Sequence, residues 1–123
     1  MPAIPPGTTG ITTPFQRRHV QIYHNVSGGE SFVVHCKSKD DDLGQHTFGP
    51  GQMYEFKFHS HILGHTLFYC GFSVGDFKGV FDIYDHYRDI YRCPTYCRWY
   101  VIETGIIGRR QPDNVADIYF PFT

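Results

Sequence analysis

The sequence predicts an all-β fold, an antiparallel β-sandwich of about eight short strands with two intramolecular disulfides. Three observations carry this expectation. Aromatic residues make up 17% of the chain, and 13 Gly and 8 Pro cut it into short pieces, which suits strands and turns better than helices. Successive runs alternate apolar and polar residues with the period of a half-buried strand, and none shows a convincing helical moment. The 4 cysteines form an even set in a small aromatic-rich chain, and Cys36 and Cys70 fall on the inward phase of two such runs, as in a secreted disulfide framework.

The first 16 residues, rich in Pro, Thr and Gly, are expected to be a flexible arm, followed by one sandwich domain over 17–123. From His19 to Val26 the inward set is Val20, Ile22, His24 and Val26, and Ser27-Gly28-Gly29 supplies a turn. Asn25-Val26-Ser27 is an acceptor sequon for N-glycosylation, with Asn25 on the outward phase. Phe32, Val34 and Cys36 then alternate with Val33, His35 and Lys37. The chain turns abruptly polar at Ser38 and Lys39 and enters the acidic run Asp40, Asp41, Asp42, a charged loop closed by Leu43-Gly44.

A short segment from Gln45 to Phe48 ends at Gly49-Pro50-Gly51, a reversal that no regular element crosses. Tyr54, Phe56 and Phe58 face inward next, and after them Phe68, Cys70, Phe72 and Val74. A turn between Gly75 and Gly79 leads into Val80 to Tyr84, where Phe81 and Ile83 point in. Asp85 to Cys97 lacks a steady period and contains Pro94, so it reads as a long ordered loop. Cys97, Trp99 and Val101 restore alternation up to Gly105. Gly108 to Asn114 reads as a polar connection, and Val115 to Phe122 as an edge strand ended by Pro121.

Four cysteines allow three pairings. Bonding Cys93 to Cys97 closes a very small ring and constrains the unfolded chain least. Joining Cys36 to Cys97 and Cys70 to Cys93 closes two long loops, each worth roughly 3–5 kcal/mol in chain entropy, and this pairing is the one expected, although strand order is not visible in a sequence. Structural zinc is the weaker reading, since only Cys93 and Cys97 lie close together.

A net charge of −1 argues against nucleic acid as a partner, and no apolar run approaches the roughly 20 residues of a membrane span. The opening MPAIPPGTTGITTPF has neither the charged nor the hydrophobic region of a signal peptide, so a secretory leader is expected to have been removed. His59-x-His61, with His65 nearby, could place two imidazoles on one strand face for a metal or, with Lys57, for acid/base cleavage of a phosphodiester. No third ligand, nucleophile or transition-state clamp accompanies them. Asp40 to Asp42 lacks the alternating oxygen ligands and closing Glu of a calcium loop. No catalytic residue, metal site or cofactor is assigned.

Four motifs occur in order: HCKSKDDDLGQH, TLFYCGF, FDIYD, and the close Cys93/Cys97 pair leading into CRWYVIETGI. Together, from about Arg17 to Gly105, they resemble the plant self-incompatibility S-protein family. The arm and the segment beyond Gly108 match none of its motifs. The resemblance implies a small secreted plant protein with a β-sandwich and two disulfides; the best-understood members are stigma-secreted ligands that arrest incompatible pollen by engaging a pollen-surface receptor.

On this reading the chain is a secreted, extracellular, non-enzymatic ligand, expected to be a monomer, that displays loops to a cell-surface receptor or other membrane protein. The contact residues expected are Asp40, Asp41 and Asp42 of the acidic turn and His86, Tyr87, Arg88, Asp89, Tyr91 and Arg92 of the long loop, whose charges and tyrosines suit binding hot spots. Replacing Arg88, Asp89 and Arg92 together is expected to weaken binding and leave the fold intact. The alternative is a carbohydrate- or wall-binding module in which Tyr87, Tyr91 and Tyr100 stack on sugar rings.

Overall fold

In the computed structural model, which describes residues 17–59 and 65–123, the alternating runs become strands and one helical turn. The expected arm and His61 lie outside the described residues. In chain order the elements are β1 (Arg17–His24), β2 (Phe32–Lys37), β3 (Asp42–Phe48), β4 (Met53–His59), β5 (Leu67–Val74), β6 (Phe77–Asp85), α1 (His86–Asp89), β7 (Tyr96–Ile102), β8 (Gly105–Arg109) and β9 (Ala116–Pro121). They form a five-stranded sheet, β4-β1-β7-β8-β9, and a four-stranded sheet, β3-β2-β5-β6, so the all-β expectation holds.

Three local expectations are corrected. The pairing is not wholly antiparallel: β1 and β7 run parallel, with Val20 opposite Cys97 and Ile22 opposite Trp99. The whole four-stranded sheet lies between them in sequence and supplies the crossover that parallel neighbours need. Gly105–Arg109, read as a strand end and the start of a connection, is a strand of its own. Its Gly108 hid it: a Cβ there would lie 2.8 Å from the Trp99 ring and 2.7 Å from Arg92 Nη2, so the missing side chain makes room for the indole. Finally, Asp85 to Cys97 begins with one turn of helix, α1, too short to leave a periodic signal.

The inner faces of the two sheets meet in one apolar cluster. Val20, Ile22, Trp99, Val101 and Ile106 from the larger sheet pack with Phe32, Val34, Phe72 and Ile83 from the smaller, none more than 2% exposed. Ring contacts cross between the layers, Phe58 to Phe68 at 4.7 Å and Phe56 to Phe68 at 5.1 Å. The Trp99 indole N–H donates to the Ile83 carbonyl at 3.0 Å, so its polar atom is satisfied inside the core.

Arg18 shares the inward phase of Val20 and is fully buried. Its guanidinium donates to the Pro94 carbonyl, tying the start of β1 to the loop before β7. Burial pushes its pKa below the ordinary value, and the neighbouring Tyr84 phenol partly offsets that shift.

The disulfide pairing differs from the expected one: the bridges are Cys36–Cys70 and Cys93–Cys97. Loop entropy describes the unfolded chain, whereas strand order decides which sulfurs meet. β2 and β5 are neighbours with Cys36 directly opposite Cys70, while Cys97 sits on β7 in the other sheet. Neither bridge therefore joins the two layers. Apolar packing holds them together, at roughly 1.5–3 kcal/mol for each large side chain buried.

Candidate recognition site

Strand register brings both sequence-predicted loops to one end of the sandwich. Lys37 at the end of β2 pairs with Tyr69 near the start of β5, and Leu67 pairs with Asp85 at the end of β6. The acidic turn and the segment from Asp85 to Tyr96 thus emerge side by side. Asn25 follows β1 at the opposite end, where His24 stacks near Phe32 at 5.8 Å, and it is exposed as its outward phase predicted.

The acidic turn divides into two parts. Asp40 and Asp41 are exposed, and the turn closes on itself through Ser38, whose amide donates to the Asp41 carbonyl at 2.7 Å and whose hydroxyl accepts from the Asp41 amide at 3.1 Å. Asp42 belongs to β3. Its carboxylate pairs with His35 Nε2 at 2.5 Å and accepts the Gly44 amide at 2.9 Å, and these two bonds, the histidine's first, hold its pKa below the ordinary value. Between this turn and the β4–β5 side lies a groove lined by Lys39, Asp40 and Asp41 across from His59, His65 and Tyr69.

The second loop is built around two aspartates. Asp85 caps α1 by accepting from the Tyr87 amide at 3.0 Å and the Arg88 amide at 3.4 Å, and it pairs with His65 Nε2 at 3.1 Å. Partial burial works against its charge, yet the bonds from His65, Arg88 and Tyr87 outweigh this and lower its pKa. Asp89 is fully buried. Its carboxylate accepts from the Asp85 amide at 2.9 Å, from Arg88 Nε at 2.9 Å and Nη2 at 2.7 Å, and from Arg92 Nη1 at 3.1 Å.

Arg92 in turn grips Asp117 through Nε and Nη2, both at 2.7 Å. The Arg88 and Arg92 guanidiniums each lie 5.5 Å from the centre of the Trp99 ring. This arrangement corrects one expectation. Asp89 has no surface to offer and Arg92 almost none, so replacing Arg88, Asp89 and Arg92 together would dismantle the buried ion network beneath the loop, and leave Asp117 without its partner, rather than alter only a contact surface. What the clamp leaves outside is Tyr87, 75% exposed, and Tyr91, 84% exposed, with the His86 ring set edge-on to Tyr87 at 5.2 Å.

Sequence reasoning missed Arg18 and Asp117. Arg18 had a signal, its shared phase with Val20; Asp117 had none, because its partner Arg92 is 25 residues away. Asp89, Cys93 and Cys97 bring a carboxylate and two sulfurs together, but those sulfurs are bonded to each other and provide no thiolate for a metal. Tyr100, a sugar-stacking candidate, has its ring stacked on Tyr23 at 5.0 Å on the β1 side and under Arg109 at 5.2 Å on the β8 side. Neither face is open to a sugar.

Fold and site together define a disulfide-bridged, two-sheet β protein with a clamped loop presenting tyrosines at one end. The chain belongs to the plant self-incompatibility protein S1 family, whose model matches residues 19–122 and so extends through the segment beyond Gly108. Among curated relatives from Arabidopsis thaliana, it is 49% identical to S-protein homolog 24 over 76 residues, covering 61% of this chain and 50% of that protein. It is 32% identical to S-protein homolog 2 over 121 residues, covering 95% of this chain and 75% of that protein. The match to S-protein homolog 5 is 41% identical over 96 residues, 78% of this chain and 74% of the relative. The chain spans about half the length of homolog 24, and likewise of homolog 27. No helix among the described residues is long and apolar enough to cross a membrane.

Proposed function

We propose that this chain is a secreted, non-enzymatic signalling ligand of the self-incompatibility S-protein type, read by a cell-surface protein through the loop end of the sandwich. One observation supports this most directly: Tyr87 and Tyr91 stand exposed on a segment that buried Asp89 clamps from beneath. Rigid exposed aromatics lose little entropy on binding, which suits them as anchors. Asp40 and Asp41 lie at the same end and add a negative rim that affects encounter rate more than affinity. A glycan on Asn25 would sit at the far end and leave this surface clear; a mass shift on enzymatic deglycosylation tests its presence.

Binding of oxidised protein to plasma-membrane extract from plant tissue tests the reading. Tyr87→Ala with Tyr91→Ala should lower binding by about tenfold or more while the circular dichroism spectrum stays native. Equal binding by the variant would move recognition away from this end, and a positive glycan array would replace the protein partner with a carbohydrate.

A further inference from the structure

The outer face of the five-stranded sheet does not look like a surface meant only for water. Sheets of this kind usually turn polar side chains outward. Here Met53, Tyr23, Tyr100, Ile107 and Tyr119 are successive register partners and form one apolar line across all five strands. Met53 and Tyr119, at its two ends, are 41% and 50% exposed. Beside this line the outward positions of β4, β1, β7 and β8 carry Arg17, Lys57, Arg98 and Arg109 against a single carboxylate, Glu55, in a chain whose formal charge is −1.

Two of these cations are held ready. The Arg98 guanidinium lies 5.0 Å over the Tyr96 ring with its Nε donating to Gln21 Oε1 at 3.0 Å, and Arg109 lies 5.2 Å over Tyr100 with Nη1 donating to the Asn114 carbonyl at 2.9 Å. Among the described residues neither has a carboxylate within ion-pair distance, whereas Arg88, Arg92 and Arg110 each have an aspartate. Glu55 is occupied elsewhere, accepting from Gln21 Nε2 at 2.7 Å and standing 3.5 Å from His19 Nδ1.

We propose that this face is a second docking surface, separate from the loop end, for a protein that presents carboxylates beside aliphatic side chains. Arg and Tyr with Met are the residue types enriched in interface centres, and guanidiniums fixed on aromatic rings lose little freedom when a carboxylate binds them. A uronic-acid polymer would satisfy the charges alone. It would find the central ring of the line closed, because Tyr100 lies between Tyr23 and Arg109. A second copy using the same face would set arginine against like charge.

The test is an NMR titration of isotope-labelled oxidised protein with a short peptide alternating Glu and Leu, with a Lys-Leu peptide and oligogalacturonate as comparisons. The Glu-Leu peptide should shift the Arg98 and Arg109 Nε–H signals and the Tyr23 and Tyr100 amides, and should leave Tyr87 and Tyr91 unmoved. Arg98→Gln with Arg109→Gln should weaken that binding by about tenfold or more with an unchanged spectrum elsewhere, and Tyr87→Ala with Tyr91→Ala should bind the peptide as wild type does. Shifts scattered over the surface or centred on the loop end, tighter binding of oligogalacturonate, or indifference to the arginine substitutions would each overturn the proposal. Scattered shifts or indifference to the arginine substitutions would leave the loop-end reading as it stands, because the tyrosine variant tests that reading separately in membrane extract.

Discussion

Asp89 and Arg92 meet at 3.1 Å beneath the loop surface, and the opposite edge of the same guanidinium holds Asp117 on β9. One arginine thereby ties α1 to the far edge of the larger sheet. Its stacking on Trp99 places the tie against the centre of the core.

Removing one partner of such a network leaves buried charge uncompensated. Asp89→Ala should therefore destabilise the fold by about 3–5 kcal/mol, measured by denaturant unfolding of oxidised protein. Tyr87→Ala, whose ring is largely in water, should stay within about 0.5 kcal/mol of wild type. Equal effects of the two would mean that the clamp is not what orders the loop.

The two disulfides should contribute unequally. Cys36–Cys70 spans 34 residues and Cys93–Cys97 only 4, so chain entropy assigns roughly 4 kcal/mol to the first and about 2 kcal/mol to the second. Paired Cys-to-Ala variants, compared by thermal and denaturant unfolding, should follow that order. Peptide mapping without reduction should recover Cys36 linked to Cys70; a Cys36–Cys97 peptide would contradict the strand order itself.

Asp85 should make acid stability depend on the loop. Its folded-state pKa lies below the ordinary value of 3.8, so the stability it contributes is fully present above about pH 4 and is lost as pH falls through the lower folded value. Asp85→Asn should flatten the fall in unfolding free energy between pH 5 and pH 2, and the Asp85 side-chain signal in wild type should titrate below 3.8. Titration above that value would remove the bonds from His65 and the α1 amides as its cause.

Gly108→Ala should be costly for a residue of its size. The added methyl would press on the Trp99 ring and on Arg92, and overpacking of this kind costs about 1–3 kcal/mol. Trp99 is the only tryptophan, so its near-ultraviolet dichroism and fluorescence should report the displacement directly.

Much of this protein was written in its alternation. Period-2 patterning is a local property, so Phe32-Val34-Cys36 and Phe68-Cys70-Phe72 announced their buried faces, Asn25 its outward one and Pro121 the end of an edge strand. The four motifs likewise sufficed to place the chain in its family. Which strands become neighbours is a property of the whole chain, and alternation contains no record of it. That is why the partner of Cys36, the parallel run of β1 beside β7 and the burial of Asp89 between two arginines were decided only when the sheets closed over a common core.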